Sequence, residues 1–235
     1  MQRRFLVFLA STAIFVPALL LLDRPGLVPQ LLLGAATAAF LFGFARTSTV
    51  PMGHVCWAVV LATTGEVVLS IGWGLYSYQH ALIPLYVPAG HGVFYLLAAE
   101  SAQQPTLRRH ARAIVVAVLI AGGIVAATTL LLHDDVWGLL LWVAAAALMK
   151  RSKSGLLLAT CFVYTLLLEW LGTGIGNWRW AAEVPWVGLR SANPPSGVGV
   201  LYILLDLLTV IAVGALGSAT DRLRPSREGL PVTER

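Results

Sequence analysis

The sequence predicts an all-α protein, a polytopic membrane bundle of about eight spans built as two parallel four-helix repeats. Three observations lead there. Of 235 residues, 58% are hydrophobic and 11% charged, with mean hydropathy +0.80, whereas an ordinary soluble domain carries about 25% charged residues. Apolar runs long enough for a ~30 Å hydrocarbon core occur at 5–22, 27–45, 53–72, 88–104, 113–132, 134–149, 155–172 and 197–217. The runs 88–104 and 134–149 are short, which leaves seven spans as the alternative count. The third observation is internal repetition, the signature of a duplicated structural unit.

The repeat is carried by a Glu, a Gly-x-aromatic-x-aromatic, a Pro with a bulky neighbour, and a Pro-small-Gly-x-Gly with a Tyr seven positions after its Pro. The first half has Glu66, Gly74-Leu-Tyr76-Ser-Tyr78, Pro84, Pro88 and Tyr95. The second has Glu169, Gly176-Asn-Trp178-Arg-Trp180, Pro185, Pro195 and Tyr202. Offsets of 103, 102, 101 and 107 at Glu66/Glu169, Gly74/Gly176, Pro84/Pro185 and Pro88/Pro195 place the differences in loops. The halves are therefore 1–104 and 105–217, followed by a polar tail, 218–235, that reads as disordered. Four spans per half return the chain to one side, so the repeats are parallel about an axis along the membrane normal.

Charge sets the orientation. With the N-terminus inside, 13 of the 16 basic residues fall on cytoplasmic segments and only Arg24, Arg179 and Arg190 fall outside, as the positive-inside rule requires. The net charge of +5 is then topology, and no nucleic-acid partner is implied. This places the chain in a bacterial cytoplasmic membrane with both termini cytoplasmic and the motif loops on the outer face.

Spans 1 and 2 hold almost no polar groups and receive no chemistry; Pro17 and the 34–39 stretch favour a kink and close helix approach. Residues 1–22 resemble a signal peptide but lack an Ala-x-Ala site, so they read as a retained helix. Span 3 carries Glu66, and its outer segment 73–87 has no Lys, Arg, Asp or Glu; such a loop is expected to fold back as a cap. Span 4 presents His91 and Tyr95 at i, i+4 on one face, and a basic loop at 105–112 joins the halves. Spans 5 and 6 are apolar, with His133, Asp134 and Asp135 at their turn. Span 7 ends at Glu169, the outer loop 173–196 contains Asn193, and span 8 pairs Tyr202 with Asp206 on one face. Cys56 and Cys161 read as buried thiols acting as small apolar residues.

Ionisable groups inside hydrocarbon cost at least a few kcal/mol and are functional candidates by default. They number four: Glu66, His91, Glu169 and Asp206. A carboxyl in an apolar setting holds its proton more tightly than in water, which makes it a donor beside a greasy substrate. Equivalent positions in the repeat predict that Glu66 and Glu169 face each other and share a proton. His91 aligns with Val198 and Asp206 with Ala99, an asymmetry suited to a site that acts on one end of a substrate. The bland reading of Asp206 is a structural hydrogen bond from Tyr202. Tyr76, Tyr78, Trp178 and Trp180 beside the carboxylates offer π faces that stabilise a carbocation, although interfacial Trp and Tyr are common in any membrane protein. Tyr95, Tyr202 and Asn193 complete the expected substrate-binding set. No metal spacing, nucleophile elbow, Walker loop or dinucleotide fingerprint is present, and no cofactor is implied.

The run Glu66, Gly74-Leu-Tyr76-Ser-Tyr78, Pro84-Leu-Tyr-Val-Pro88 resembles the carotenoid-biosynthesis membrane family that includes bacterioruberin-type hydratases. The likeness covers about thirty residues, with an echo in the second half where Trp stands for Tyr. A looser likeness, through Glu66 and Asp206, is to small integral-membrane terpene cyclases. Both imply proton-initiated addition to an isoprenoid double bond, with Glu66 or Asp206 as donor and Glu169 or His91 as base. The expected partners are a hydrophobic lipid or isoprenoid substrate and membrane lipids; the oligomeric state stays open. The other readings are a non-catalytic lipid-binding or proton-coupled transport protein, and an accessory subunit of a membrane complex.

Overall fold

The structure, a computed structural model, describes residues 2–223, with side chains as far as residue 215. It is all-helical apart from one two-stranded ribbon. Each apolar run becomes a helix: α1 (Gln2–Leu21), α2 (Leu27–Ala45), α3 (Met52–Glu66), α4 (Val87–Gln103), α6 (Ala111–His133), α7 (Val136–Arg151), α8 (Gly155–Ile175) and α9 (Gly199–Leu223), with a short α5 (Pro105–Arg109) between the halves. Residues 218–223 of the polar tail continue α9, and 224–235 lie outside the described residues.

Five helices are long and apolar enough to cross a membrane, Gln2–Leu21, Leu27–Ala45, Met52–Gly72, Ala111–His133 and Gly155–Ile175. The 17-residue α4, the 16-residue α7 and the apolar part of α9, Gly199–Ala215, fall short of that length. Apolar side chains such as Ile14, Leu32, Phe42, Ile71, Ile124 and Leu131 are exposed on the outside of the bundle. A chain that leaves this much aliphatic surface open is built for lipid, since soluble monomers rarely expose large apolar patches. Cys56 belongs to that surface: contrary to expectation its thiol is exposed on α3, whereas Cys161 is buried in α8.

α3, α4, α8 and α9 form the centre, with α1 and α2 flanking α4 and with α6 and α7 flanking α8. One end is marked by Arg4, which donates to both Glu100 carboxylate oxygens at 2.6 and 2.7 Å, while Ser48 donates to Glu100 at 2.5 Å. Beside this basal end Phe8 stacks on Phe44, and farther along α1 toward the opposite end Phe15 stacks on Phe40, each pair with ring centroids 4.4 Å apart.

At the opposite end the aromatic loops cap the bundle through a pairing that helical periodicity does not announce. β1 (Tyr76–Tyr78) runs antiparallel to β2 (Trp178–Trp180), with Tyr76 opposite Trp180 and Tyr78 opposite Trp178. In both strands the aromatic residues are buried and the middle residue, Ser77 or Arg179, is exposed, as period-two alternation dictates. The ribbon thus lays four rings over the centre of the bundle. Asp23, at the end of α1, is buried and anchors it, accepting from Gln30 at 2.6 Å, Tyr86 at 3.0 Å and Asn177 at 3.2 Å. Between Glu66 and β1 the helix widens into a π-helical turn, Val67–Gly72, in which the Trp73 N–H reaches the Val68 carbonyl at 2.8 Å. Such turns recur at functional sites.

Candidate functional site

Beneath the ribbon lies a partly open chamber of about 70 Å³, almost wholly apolar apart from the groups described below. Glu66, His91, Glu169, Tyr76, Tyr78, Trp178, Trp180 and Tyr202 all line it. The two Glu-and-aromatic motifs of the sequence therefore contribute their carboxylates and their alternating aromatics to one space.

Each carboxylate is held by the strand that follows it. Glu66 Oε2 accepts from the Tyr76 hydroxyl at 2.8 Å and from the Tyr78 hydroxyl at 2.7 Å. Glu169 Oε2 accepts from the indole N–H of Trp178 at 2.8 Å and of Trp180 at 2.9 Å. In each strand the two aromatic residues lie two apart on one face, so both donors reach back to the same oxygen. The rings pack across the ribbon, Tyr76 against Trp180 with centroids 4.7 Å apart and Tyr78 against Trp178 at 6.2 Å. Burial first, and then the neighbouring Glu66 carboxylate, holds both phenols well above the usual tyrosine range.

The other oxygens differ. Glu66 Oε1 lies 2.9 Å from His91 Nε2, so both oxygens of Glu66 are engaged. Glu169 Oε1 has no hydrogen-bond partner among the described residues, and the carboxyl faces the chamber. The indoles are donors only, so a proton on Glu169 resides on Oε1, the oxygen turned toward any occupant. The expectation that Glu66 and Glu169 share a proton is not met: no hydrogen bond joins them, and Glu66 spends both of its oxygens on Tyr76, Tyr78 and His91.

The remaining expected residues fall elsewhere. Asp206 does not line the chamber but an adjoining smaller cavity, with Tyr95, Cys161, Tyr164 and Thr165; His91 and Tyr202 border both spaces. No Tyr202–Asp206 hydrogen bond forms, because the Tyr202 ring instead stacks on His91 with centroids 4.8 Å apart. Tyr95 meets His54 Nδ1 at 3.1 Å. Asn193 lines neither space; its Oδ1 accepts from the Trp180 backbone N–H at 2.9 Å and pins β2 in place. Among the described residues no group of three or more His, Cys, Asp or Glu side chains is placed to hold a metal.

Sequence reasoning missed two contributions. α1 and α2, assigned no chemistry, supply Phe15, Val16, Leu19, Leu20 and Thr37 to the chamber wall; their apolar character is identical whether they face lipid or a greasy pocket. Asp23 was hidden as the residue that ends span 1, yet it fastens Asn177, the residue before Trp178. Its signal was an acidic residue beside an otherwise basic loop boundary. No known protein family, characterised protein or solved structure matches the chain.

Proposed function

We propose that the protein is an integral membrane enzyme that protonates a carbon–carbon double bond of an isoprenoid or carotenoid-like lipid and quenches the cation by hydration or cyclisation. The observation that carries this reading is Glu169: two indole donors hold one carboxyl oxygen and leave the other free in a largely apolar chamber walled by aromatic rings. In the reaction the Glu169 Oε1–H bond breaks and the alkene π pair forms a C–H bond, leaving a cation on the more substituted carbon and a carboxylate on Glu169. The faces of Tyr76, Tyr78 and the two tryptophans stabilise that cation. Water then adds and gives up a proton, or a second double bond of the same chain adds and a ring carbon gives one up. The Glu66–His91 pair, 2.9 Å apart, accepts that proton, and its return to Glu169 completes the cycle. The role of donor thus passes from Glu66 or Asp206, the sequence expectation, to Glu169.

The chamber volume fits an end group. At about 70 Å³ it is roughly half the ~150 Å³ cavity that admits benzene, room for the branched terminus of an isoprenoid with the remaining chain outside. Two further features belong to this reading: the eight long helices all cross a bacterial cytoplasmic membrane as two parallel repeats, and both termini are cytoplasmic. The ribbon supports the first, since equivalent strands from the two halves pair in register; the basic residues clustered at the basal end, Arg4 among them, support the second.

The test is incubation of the purified protein in lipid nanodiscs with acyclic polyenes in heavy water. One deuterium per turnover is expected in the product, and Glu169→Gln abolishes it while the protein still folds. Deuterium uptake that persists in E169Q refutes Glu169 as donor. Ligand bound but chemically unchanged, with no uptake from any isoprenoid, assigns the chamber to a lipid-binding protein instead.

A further inference from the structure

Two described acidic groups of the central helices take no part in the proposed reaction: Glu100, paired with Arg4 at the basal end, and Asp206, which lines the small cavity beside the chamber. Asp206 is 6% exposed, and its Oδ2 has no hydrogen-bond partner. A buried polar atom without a partner costs about 1–3 kcal/mol unless water reaches it. The cavity measures about 10 Å³, and roughly 10–15 Å³ is the room one water needs. Tyr95, Tyr164 and Thr165, each of which carries a hydroxyl, line the same space with Asp206, and a water there needs two to four polar partners.

The position of this cavity gives it a direction. His91 forms part of its wall and of the chamber wall; Nε2 is engaged by Glu66 and Nδ1 has no protein partner among the described residues. Asp206 lies one helical turn beyond Tyr202, and Tyr95 one turn beyond His91, both toward the basal end. Tyr95 then meets His54 at 3.1 Å. His54 is half-buried near the start of α3, twelve residues before Glu66 on one continuous helix, which is about 18 Å at 1.5 Å per residue.

We infer that Asp206 binds a single enclosed water that joins His91 to the Tyr95–His54 pair, forming a proton path between the chamber and the basal end of the bundle. This rests on the reading of the chamber as a proton-transfer site and adds the route by which it is reloaded. A proton leaves His91 Nδ1 for the water and the water passes one of its own to Asp206 Oδ2; Asp206 then returns a proton to the water, which hands one to the Tyr95 hydroxyl as that hydroxyl releases its own to His54 Nδ1, so that each hop breaks one X–H bond and makes one. The reverse order delivers a proton inward. Asp206 is here a relay group and touches no substrate.

The test uses the full chain in nanodiscs without substrate. After transfer to heavy water, at a pH where the Glu169 carboxyl is protonated, hydrogen–deuterium exchange of that carboxyl is followed by infrared spectroscopy, its band identified by loss in E169Q. Exchange is expected to be about a hundredfold slower in D206N and in H54Q, the lower end of what one proton-transfer group contributes, with unfolding unchanged. Exchange at the wild-type rate in D206N overturns the path. If D206N does not fold, H54Q, at a half-buried position remote from the chamber, decides it by the same criterion. Because no turnover is involved, a failure to find alkene chemistry leaves this result intact, and a failed path leaves the heavy-water assay standing.

Discussion

The tightest geometric demand on the site is made by a glycine. Gly172 lies one turn beyond Glu169 on α8, and a methyl group placed there would sit 1.9 Å from Cη2 and 2.1 Å from Cζ2 of Trp178. Carbon atoms pack at about 3.5 Å or more, so Gly172→Ala must push the indole aside by about 1.5 Å. Trp178 is 7% exposed and packed against Tyr78, which leaves it no empty space to enter. Its Nε1, 2.8 Å from Glu169 Oε2, is carried out of hydrogen-bonding range. Overpacking costs about 1–3 kcal/mol, and the lost donor to a buried carboxyl about 1–3 kcal/mol, so we expect a loss of about 2–6 kcal/mol. The assay is unfolding of the nanodisc-reconstituted protein, alongside the heavy-water incubation, in which turnover should fall with stability. Gly174→Ala is the control: nothing lies within 4 Å of its methyl position, and alanine gains up to about 1 kcal/mol of helix propensity. If G172A unfolds and turns over like the wild type, Trp178 does not occupy the place described and the account of how Glu169 is held fails.

Two further outcomes follow from the ribbon and its anchor. Tyr76 and Tyr78 titrate above the ordinary tyrosine range when folded, so their stabilisation is complete below about pH 10 and declines as pH rises beyond it, because the unfolded chain releases those protons first. SDS unfolding followed against pH should show the decline, and the Y76F/Y78F double variant should flatten it; an equally steep decline in the double variant rules these phenols out. Asp23→Ala strands the Tyr86, Gln30 and Asn177 donors and is expected to cost about 3 kcal/mol or more in the same assay; a loss below about 1 kcal/mol would show the anchor to be dispensable.

Hydropathy made most of the fold legible. The run 27–45 matches α2 residue for residue, and 53–72 matches α3 with its π-helical extension, because a lipid-facing helix is written in one uninterrupted stretch of apolar residues. The widened turn after Glu66 left no such mark, since Val67, Val68 and Leu69 are equally at home in either helix. Duplication made the chamber legible: the Glu and the alternating aromatics recur together, and both copies line one space. What stayed hidden is long-range pairing. Nothing local to Tyr76 names Trp180 as its neighbour 104 residues later, and Asn193, read as substrate-binding, spends its oxygen on the Trp180 backbone. A period of two residues was present in both loops, but three residues are too few to announce a strand against a helical background.

The departure from exact repetition has the greater chemical weight. A hydroxyl both donates and accepts, whereas an indole N–H only donates, so Tyr76 and Tyr78 can pass a proton to or from Glu66 while Trp178 and Trp180 cannot exchange one with Glu169. The first carboxylate therefore has three titratable partners, Tyr76, Tyr78 and His91, able to take up a proton and redistribute it. The second is insulated on one oxygen and open on the other. A perfectly symmetric pair would give two equivalent acids with no direction to the transfer. With tryptophan in place of tyrosine beside Glu169, and His91 beside Glu66, the two carboxyls occupy unlike environments, which is the asymmetry that the proposed division into donor and acceptor requires.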